Sequence, residues 1–455
     1  MKTTIRLFAV FVLIYIPLLH AQSTSEIADK FIRSSLLENK GYSWLKELCE
    51  IGPRLSGSEN SLKAIMWGQK KMMEAKFDSV WLQPVIVPHW ERGKTEEAVI
   101  SLSNKYGKEK LTITALGGSV GTPKVGITAE VIEVKSLDEA SKLGERAKGK
   151  IIFYNRPFDN GLVSMFEGYG KAVDQRSDGA AVASKVGAVA VLVRSVQSSY
   201  DDFPHTGSLN YKNVERKIPG AAISVIDADF LSKAISEDSK LKVNIKLDCK
   251  TLPDAQSYNV IGEIRGTEKP NEVIVIGGHF DSWDKGCGAH DDGAPCMQSM
   301  EVLDLFRRLN IKPKRTIRCV LFINEENGLK GGIEYGKYSS TAKEIHLAAI
   351  EADRGAFTPR GFNVTTDSLS LIKMQSWLPI LNKAKIEWIR KGGSGADVGQ
   401  IKNAKALFGF VPDDQRYMDV HHSSTDVFAT VHPREMQLGT AAMALLVYLL
   451  SENGL

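Results

Sequence analysis

Residues 277–293, GGHFDSWDKGCGAHDDG, decide the fold of this chain of 455 residues. An apolar run of β-forming residues at 273–276 leads into the stretch, and an apolar pattern with helical spacing at 297–309 leads out of it. Ligands of open α/β sheets bind beyond the carboxyl ends of the strands. His279 and Asp281, placed directly after a predicted strand, therefore indicate a metal or catalytic site.

The chain after Tyr258 alternates between predicted strands and predicted helices. The strands are expected at 260–264, 273–276, 315–323 and 346–350, and the helices at 295–309 and 329–338. A further apolar helix is predicted at 436–450. Such alternation is typical of a sheet with helices on both faces, so the predicted fold class is α/β.

Three more stretches carry side chains that bind metals. They are NEENG at 324–328, EADRG at 351–355 and HHSSTD at 421–426. Any one stretch is a weak signal, because a Glu-Glu pair is usually a solvated loop and a His-His pair is more often structural. In the first stretch, Asp292 is a suitable helix cap. Four such stretches expected at one edge of a sheet are difficult to explain in that way. Two histidines and three carboxylates suit two Zn²⁺ ions, or Mn²⁺ or Co²⁺.

Residues 96–250 have a different pattern of predicted secondary structure, in which short strands predominate. They contain no cluster of histidines and acidic residues. The glycine-rich GGSVG at 117–121 lacks the Lys-Ser/Thr ending of a phosphate-binding loop. We therefore expect an inserted β-rich module without chemistry of its own, between residues 22–95 and residues 251–455.

Residues 1–21 have the features of a secretory signal peptide. Lys2 and Arg6 precede an apolar run at 7–19 that is too short to span a bilayer comfortably, and Ala21 offers a cleavage point. A membrane anchor is the alternative. Loss of two basic residues and no acidic one lowers the formal net charge from +4 to +2, so nucleic acid and anionic membranes are not expected partners. We expect an exported protein, extracellular, periplasmic or lysosomal, without stable membrane insertion once the signal is removed.

The five cysteines are too few, and odd in number, for a disulfide framework. Cys287 and Cys296 flank the acidic pair, but their spacing is not that of a zinc-binding CxxC motif. We expect them to be thiols and not zinc ligands.

The order HxD, DDG, EE, D and HHS along the chain resembles the co-catalytic zinc peptidases of family M28, which include aminopeptidases and carboxypeptidases. Other stretches in family order are GPRLSGSEN at 52–60, PHWERG at 88–93, PHTG at 204–207 and GGSGAD at 392–397. The resemblance implies a zinc-exopeptidase-type α/β/α sandwich with an inserted protease-associated domain. The peptidase domain would comprise residues 22–95, which either begin the mature domain or include a removable pro-segment, and residues 251–455. The protease-associated domain would comprise residues 96–250.

The resemblance also implies five metal ligands for two Zn²⁺ per subunit. They are His279 and Asp353 on one zinc, Glu326 and His422 on the other, and Asp291 as the bridge. Glu325 matches the general base, which takes a proton from the attacking water and delivers it to the leaving amine. Asp281 matches the acid that holds the imidazole of His279 and fixes its tautomer. The peptide bond between Asp291 and Asp292 is expected to be cis.

The implied activity is that of an exopeptidase acting on short peptides or dipeptides, in a homodimer. Tyr417 is expected to stabilise the oxyanion, with a packed core tyrosine as the alternative. Ser394 and Asp397 are expected to contact substrate, with a plain turn as the alternative. For His290, directly before the bridging aspartate, an extra ligand and a substrate contact both stay open.

Two other functions remain as alternatives. A glutaminyl cyclase-like acyltransferase would use one zinc, so metal stoichiometry separates it from a dinuclear peptidase. A non-catalytic homologue of the transferrin-receptor type would lack ligands, whereas all five positions and Glu325 are filled here. The sequence leaves open whether the free amino or the free carboxyl end of a peptide is recognised.

Overall fold

The computed structural model describes residues 24–455. The predicted signal peptide, residues 1–21, lies outside the described residues. Over residues 24–455, no helix is both long enough and apolar enough to cross a membrane. The five cysteines, all within this range, are free thiols.

The described residues form two sheets and the helices that cover them. The strands are β1 (Ser79–Glu91), β2 (Glu96–Leu102), β3 (Lys110–Leu111), β4 (Ile113–Ala115), β5 (Ile127–Val134), β6 (Ile151–Tyr154), β7 (Ala190–Arg194), β8 (Gly220–Ile223), β9 (Lys242–Leu247), β10 (Lys250–Ile264), β11 (Lys269–His279), β12 (Arg315–Phe322), β13 (Ile345–Glu351), β14 (Pro359–Thr365), β15 (Trp388–Lys391) and β16 (Ala406–Pro412). The helices are α1 (24–38), α2 (Lys40–Ile51), α3 (Glu59–Glu74), α4 (Leu137–Lys142), α5 (Met165–Ala172), α6 (Asp174–Ser177), α7 (Gly179–Lys185), α8 (Val225–Glu237), α9 (Ala294–Arg308), α10 (Lys330–Thr341), α11 (Ser368–Gln375), α12 (Leu378–Leu381) and α13 (Pro433–Asn453).

The first sheet has eight strands in the order β1-β10-β12-β11-β13-β16-β14-β15. Its centre is parallel, because β11 pairs with β12 on one side and with β13 on the other. Along β11, Ile274 and Ile276 join the core formed with α9 and α13, whereas Val273 and Val275 join the core that contains Tyr335 of α10. Successive side chains of a strand point to opposite faces, so helices cover both faces. This confirms the predicted α/β/α class.

The second sheet has eight strands in the order β3-β2-β9-β5-β6-β7-β8-β4. The chain leaves the first sheet after β1 and re-enters it with β10, so every strand of the second sheet lies within residues 96–247 (the second-sheet segment). Strands β5 to β8 run parallel to one another, and separate apolar cores pack on the two faces. The assignment of this segment as a protease-associated domain stays a prediction.

Candidate metal centre

The parallel strands β11, β12 and β13 end side by side and bring polar side chains to one edge of the first sheet. His279 is the last residue of β11. Glu325 and Glu326 follow β12, and Asp353 follows β13. Because neighbouring parallel strands end at the same edge, side chains from three distant parts of the chain meet there.

Asp291 lies at the centre of this cluster, with one carboxylate oxygen facing each of two histidines. Its Oδ1 is 3.2 Å from Nε2 of His279, and its Oδ2 is 3.3 Å from Nε2 of His422. The His279 nitrogen is also 3.6 Å from Oδ1 of Asp353, and the His422 nitrogen is 3.2 Å from Oε2 of Glu326. The five side chains therefore form two donor groups that share one carboxylate.

The donor spacing and chemistry of these groups fit zinc. Two ligand atoms about 2.1 Å from a tetrahedral zinc lie about 3.4 Å apart. The separations of 3.2 to 3.6 Å around His279 bracket that value. Neutral imidazoles and carboxylates are ordinary zinc ligands. A cluster of buried carboxylates is also costly unless cations neutralise it.

Both histidines have their second ring nitrogen near a main-chain oxygen. Nδ1 of His279 is 3.0 Å from the carbonyl oxygen of Asp281, and Nδ1 of His422 is 3.3 Å from that of Thr206 in the second-sheet segment. For His279, a proton on Nδ1 leaves the Nε2 lone pair facing the carboxylates. Nδ1 of His422 also lies 3.4 Å from Nη1 of Arg176. The Asp281 carboxylate is 3.9 Å from His279. The carbonyl thus makes the contact that the sequence assigned to the carboxylate of this residue.

Two buried carboxylates hold the main chain beside the donors. Asp292 accepts a hydrogen bond of 3.0 Å from the N–H of His279, so the helix-cap alternative for Asp292 is wrong. Asp281 accepts one of 3.1 Å from the N–H of Glu325. These bonds tie the ends of β11 and β12 to the loop that carries the bridging carboxylate.

Asp426 holds the main chain directly before and at Asp291. Its carboxylate accepts hydrogen bonds from the N–H groups of His290, at 2.8 Å, and Asp291, at 3.1 Å. The peptide bond between Asp291 and Asp292 is cis, as the resemblance implied.

Glu325 and Tyr417 share a cavity with the donors. Burial raises the pKa of Glu325 to about 8, while His279 opposes this shift and Asp353 adds to it. Burial also raises the pKa of Tyr417 well above its ordinary value. The Tyr417 hydroxyl therefore keeps its proton at neutral pH and can donate a hydrogen bond.

The cavity has a volume of about 640 Å³, and the second-sheet segment forms one wall of it. That wall includes Phe166 and Tyr169 of α5, Arg176 of α6, and Lys212. Arg176 is 7% exposed and donates a hydrogen bond of 2.7 Å to the Tyr169 hydroxyl. Its Nε has no hydrogen-bond partner among residues 24–455. A buried cation is thus in place beside the donors.

Three residues named from the sequence lie away from the donor groups. Ser394 and Asp397 are not among the residues that line the cavity, and Asp397 is fully buried. His290 stacks on Phe357 at 4.4 Å, and its Nδ1 accepts the N–H of Ala356 at 3.2 Å. These contacts pack the ring, while its buried Nε2 has no hydrogen-bond partner among residues 24–455, so the role of His290 stays a prediction.

Sequence reasoning missed Arg176, Thr206 and the closeness of His421 to the donors. Nε2 of His421 is 3.8 Å from Oδ2 of Asp291, and its ring stacks on His422 at 3.6 Å. The His-His pair was a visible signal for His421. The motif PHTG at 204–207, which contains Thr206, could have pointed to this residue. No motif near Arg176 predicts its contact with the site.

Comparison with known proteins gives the following relatives. A model of peptidase family M28 matches residues 259–447. Carboxypeptidase Q from Homo sapiens is 37% identical over 417 residues, which is 91% of this chain and 86% of the relative. Leucine aminopeptidase 2 from Arthroderma otae is 28% identical over 299 residues, 65% of this chain and 53% of the relative.

Solved structures with the same fold extend over nearly the whole chain. A peptidase M28 precursor from Shewanella amazonensis has a TM-score of 0.89 and 30% identity, and the match covers 94% of this chain and 97% of that one. A zinc aminopeptidase from Bacillus subtilis has a TM-score of 0.63 and 20% identity, covering 90% and 94%. The second similarity is one of fold.

Proposed function

The chain belongs to peptidase family M28 and is a metallopeptidase, and from that premise we propose that it is an exported exopeptidase with two zinc ions per subunit that hydrolyses short peptides. The position of Asp291 carries this proposal. Its two carboxylate oxygens face different imidazoles at 3.2 and 3.3 Å, as a carboxylate that bridges two ions would. In this assignment His279 and Asp353 hold one zinc, and Glu326 and His422 hold the other.

The remaining residues of the cavity have roles in hydrolysis. Zinc held by these donors would lower the pKa of a coordinated water toward neutrality and polarise the scissile carbonyl. Glu325 takes a proton from the attacking water and delivers it to the leaving amine. Tyr417 donates a hydrogen bond to the oxyanion that develops on the substrate carbonyl. Asp281 positions Glu325 through the N–H hydrogen bond of 3.1 Å.

The charges of the cavity wall favour the carboxyl end of a peptide. Apart from the donors, His421 and Glu325, the ionisable side chains of the described cavity lining are Arg176, Lys212, Tyr169 and Tyr417. A guanidinium or ammonium group pairs with a carboxylate, not with a terminal ammonium. Curated relatives named carboxypeptidase Q point to the same end. We therefore assign the enzyme carboxypeptidase or dipeptidase action in preference to aminopeptidase action.

A matched pair of peptides tests this assignment. A dipeptide with a free carboxyl end and its carboxamide differ only in the group that Arg176 would bind. Loss of a hydrogen bond to a charged group costs about 1.5–3 kcal/mol, so the amide should have a kcat/KM about 10- to 100-fold lower. Arg176→Met should remove most of this preference. Cleavage of the amide at the same rate, with no cleavage of the N-acetylated dipeptide, would instead identify an aminopeptidase.

Metal content distinguishes this proposal from its main alternative. A glutaminyl cyclase-like acyltransferase with one zinc needs one donor group, whereas the side chains here form two groups around Asp291. A non-catalytic receptor-like homologue needs neither group. Zinc content of the purified protein, together with peptide cleavage, separates the three.

Three further proposals depend on the sequence. Residues 96–250 form a protease-associated domain, supported by the separate sheet within them. The mature protein is exported, and N-terminal sequencing of the secreted form should begin at Gln22. The enzyme is a homodimer, and light scattering that gives the mass of one chain would contradict this.

A further inference from the structure

We infer that the loop at residues 52–58 (the bracing loop) positions the metal centre, through Arg54 and Ser56. The inference rests on the proposed zinc site. The loop joins α2 to α3, far ahead of the donors in sequence and outside residues 259–447 that the family model matches. Its stretch GPRLSG has no part in the chemistry described above. Its contacts, however, reach two of the four segments that carry the donors, residues 280–288 and residues 324–327.

Arg54 holds both ends of the segment that separates His279 from Asp291. Its side chain is fully buried, and its guanidinium group donates hydrogen bonds to three main-chain carbonyls. The acceptors are the oxygens of Phe280 at 2.7 Å, Gly288 at 3.0 Å and Cys287. The first acceptor directly follows His279, and the other two lie just before Asp291. One side chain therefore holds the two ends of this segment at a fixed distance, and so helps to set the distance in space between His279 and Asp291.

The chemistry of the guanidinium group explains why an arginine can do this. Its donors lie in a fixed planar fork, so they can reach carbonyls at two ends of a loop at once, which a lysine ammonium cannot do in the same geometry. Desolvation of a buried cation costs free energy, and charge-assisted hydrogen bonds offset that cost. A lysine at position 54 would leave at least one of the buried carbonyls without its donor.

Ser56 holds the turn that carries Glu325 and Glu326. Its hydroxyl accepts a hydrogen bond of 2.7 Å from Nδ2 of Asn324 and donates one of 3.0 Å to Oδ1 of Asn327. These two asparagines flank the glutamate pair, and Asn324 has a left-handed backbone with φ of 70°. The bracing loop thus fixes the glutamate turn relative to the segment between His279 and Asp291.

Arg54 and Ser56 are therefore positioning residues, which touch neither the donors nor the cavity. Outer partners that orient metal ligands typically account for about 10- to 100-fold of metal affinity. We expect an effect of that size on zinc, separate from any general loss of stability.

Two variants and two matched controls test this inference. Ser56→Ala and Arg54→Lys remove contacts of the bracing loop. Ser35→Ala is the control for serine, because Ser35 is fully buried and donates to the carbonyl and Oε1 of Gln437, at 2.8 and 2.9 Å, away from the site. Arg318→Lys is the control for arginine, because Arg318 is 2% exposed and pairs with Glu263 and Glu344.

Three quantities are measured for each protein. They are the dissociation constant for Zn²⁺, by competition with a chromophoric chelator; the midpoint of thermal unfolding; and hydrogen exchange of residues 280–288 in the presence of excess chelator. We expect Ser56→Ala and Arg54→Lys to bind zinc about 10- to 100-fold more weakly than the parent. Arg54→Lys should also exchange faster at residues 280–288. The controls should lower the midpoint without changing zinc affinity more than about twofold.

The outcomes separate the inference from the proposed function. If the parent binds two zinc ions and both variants bind them as tightly, the inference is wrong and the function stands. If the controls weaken zinc as much as the variants do, the effect is general stability and the inference is again wrong. A parent that binds no zinc overturns both. Should Arg54→Lys fail to fold, Ser56→Ala decides.

Discussion

The end of β7 in the second sheet differs from the end of β11 in the first sheet in how the charged side chains there are paired. In the second sheet, Arg194 at the end of β7 donates hydrogen bonds to Asn155, at 3.1 Å, and to Asp229, at 2.6 Å. These side chains satisfy one another. At the carboxyl ends of the parallel strands of the first sheet, buried carboxylate oxygens lack any hydrogen-bond partner among residues 24–455. They are Oδ2 of Asp281, Oδ2 of Asp291 and Oδ1 of Asp292.

This difference shows that a strand end alone does not make a site. Nearly all buried polar atoms in proteins have partners, so a group of unpartnered ones requires an explanation. In the first sheet the proposed metal site explains them, because its donors would surround cations that neutralise these carboxylates. At the end of β7 the charged side chains are paired with one another, and the second-sheet segment contributes instead a wall of the cavity and the carbonyl of Thr206 beside His422.

The largest expected effect comes from removing the carboxylate that both donor groups share. Asp291→Ala should lose both zinc ions together and reduce peptide cleavage to the background rate, because each group would retain only two of its donors. Zinc content measured by atomic emission on purified protein checks this. Asp229→Ala, which removes the partner on α8 of Arg194 at the end of β7, is the control and should retain both ions. A variant at Asp291 that still holds two ions would refute the bridging role.

The next effect separates catalysis from metal binding. Glu325→Gln should retain both zinc ions but lower kcat by about 10²- to 10⁴-fold, because the amide cannot take the proton from water. KM should change little. Steady-state kinetics and zinc content on the same preparation measure both quantities. An unchanged kcat would remove Glu325 from the mechanism.

A substitution in the second sheet should lower stability but leave zinc binding and catalysis unchanged. Arg194→Leu removes the hydrogen bonds to Asn155 and Asp229, so the free energy of unfolding should fall by about 1–3 kcal/mol. Zinc content and kcat should stay within about twofold of the parent, since Arg194 contacts neither donors nor cavity. Denaturant unfolding and kinetics check the two expectations. Loss of zinc in this variant would contradict the distinction, because it would mean that the paired charges at the end of β7 also support the metal centre.

The last prediction concerns the pH dependence of stability alone, at a buried carboxyl group of the first-sheet region that lies away from the metal donors. Glu301 on α9 accepts the N–H of Gly41 and pairs with Arg308 at 2.9 Å. Burial raises its pKa from the ordinary 4.5 to about 7, although the Arg308 guanidinium opposes this shift. A carboxyl group with a raised pKa in the folded state contributes stability below the unfolded pKa and loses it as pH rises to the folded pKa. Between pH 4.5 and 7 the parent should therefore lose stability relative to Glu301→Gln, on the order of 3 kcal/mol. Urea unfolding of both proteins at several pH values measures this slope, and parallel curves would contradict it.

Much of the fold could be predicted from local pattern. The strands that end in donors, β11, β12 and β13, are apolar runs between turn signals, and α9 and α13 have strong apolar periodicity, so their existence followed from the sequence. Helices α5, α6 and α7 were not expected, because they are short and gain their stability from packing. Strands β14 to β16 were also missed. Strand β14 begins with a proline and carries the polar residues Arg360 and Asn363.

The residues of the site likewise divide into those that sequence motifs predict and those that they do not. The donors His279, Asp291, Glu326, Asp353 and His422 occur in recognisable short motifs, and the structure brings them together. Arg54 and Arg176 could not be assigned, because their contacts join parts of the chain that are far apart in sequence. A single arginine in a turn or short helix has no periodicity that reveals its partners.

The most direct test of the central claim is a crystal structure with anomalous diffraction measured above and below the zinc absorption edge. We expect two zinc peaks in each subunit, one beside His279 and Asp353 and one beside Glu326 and His422, with an oxygen of Asp291 on each. A single peak at this edge of the first sheet, or none, would contradict it.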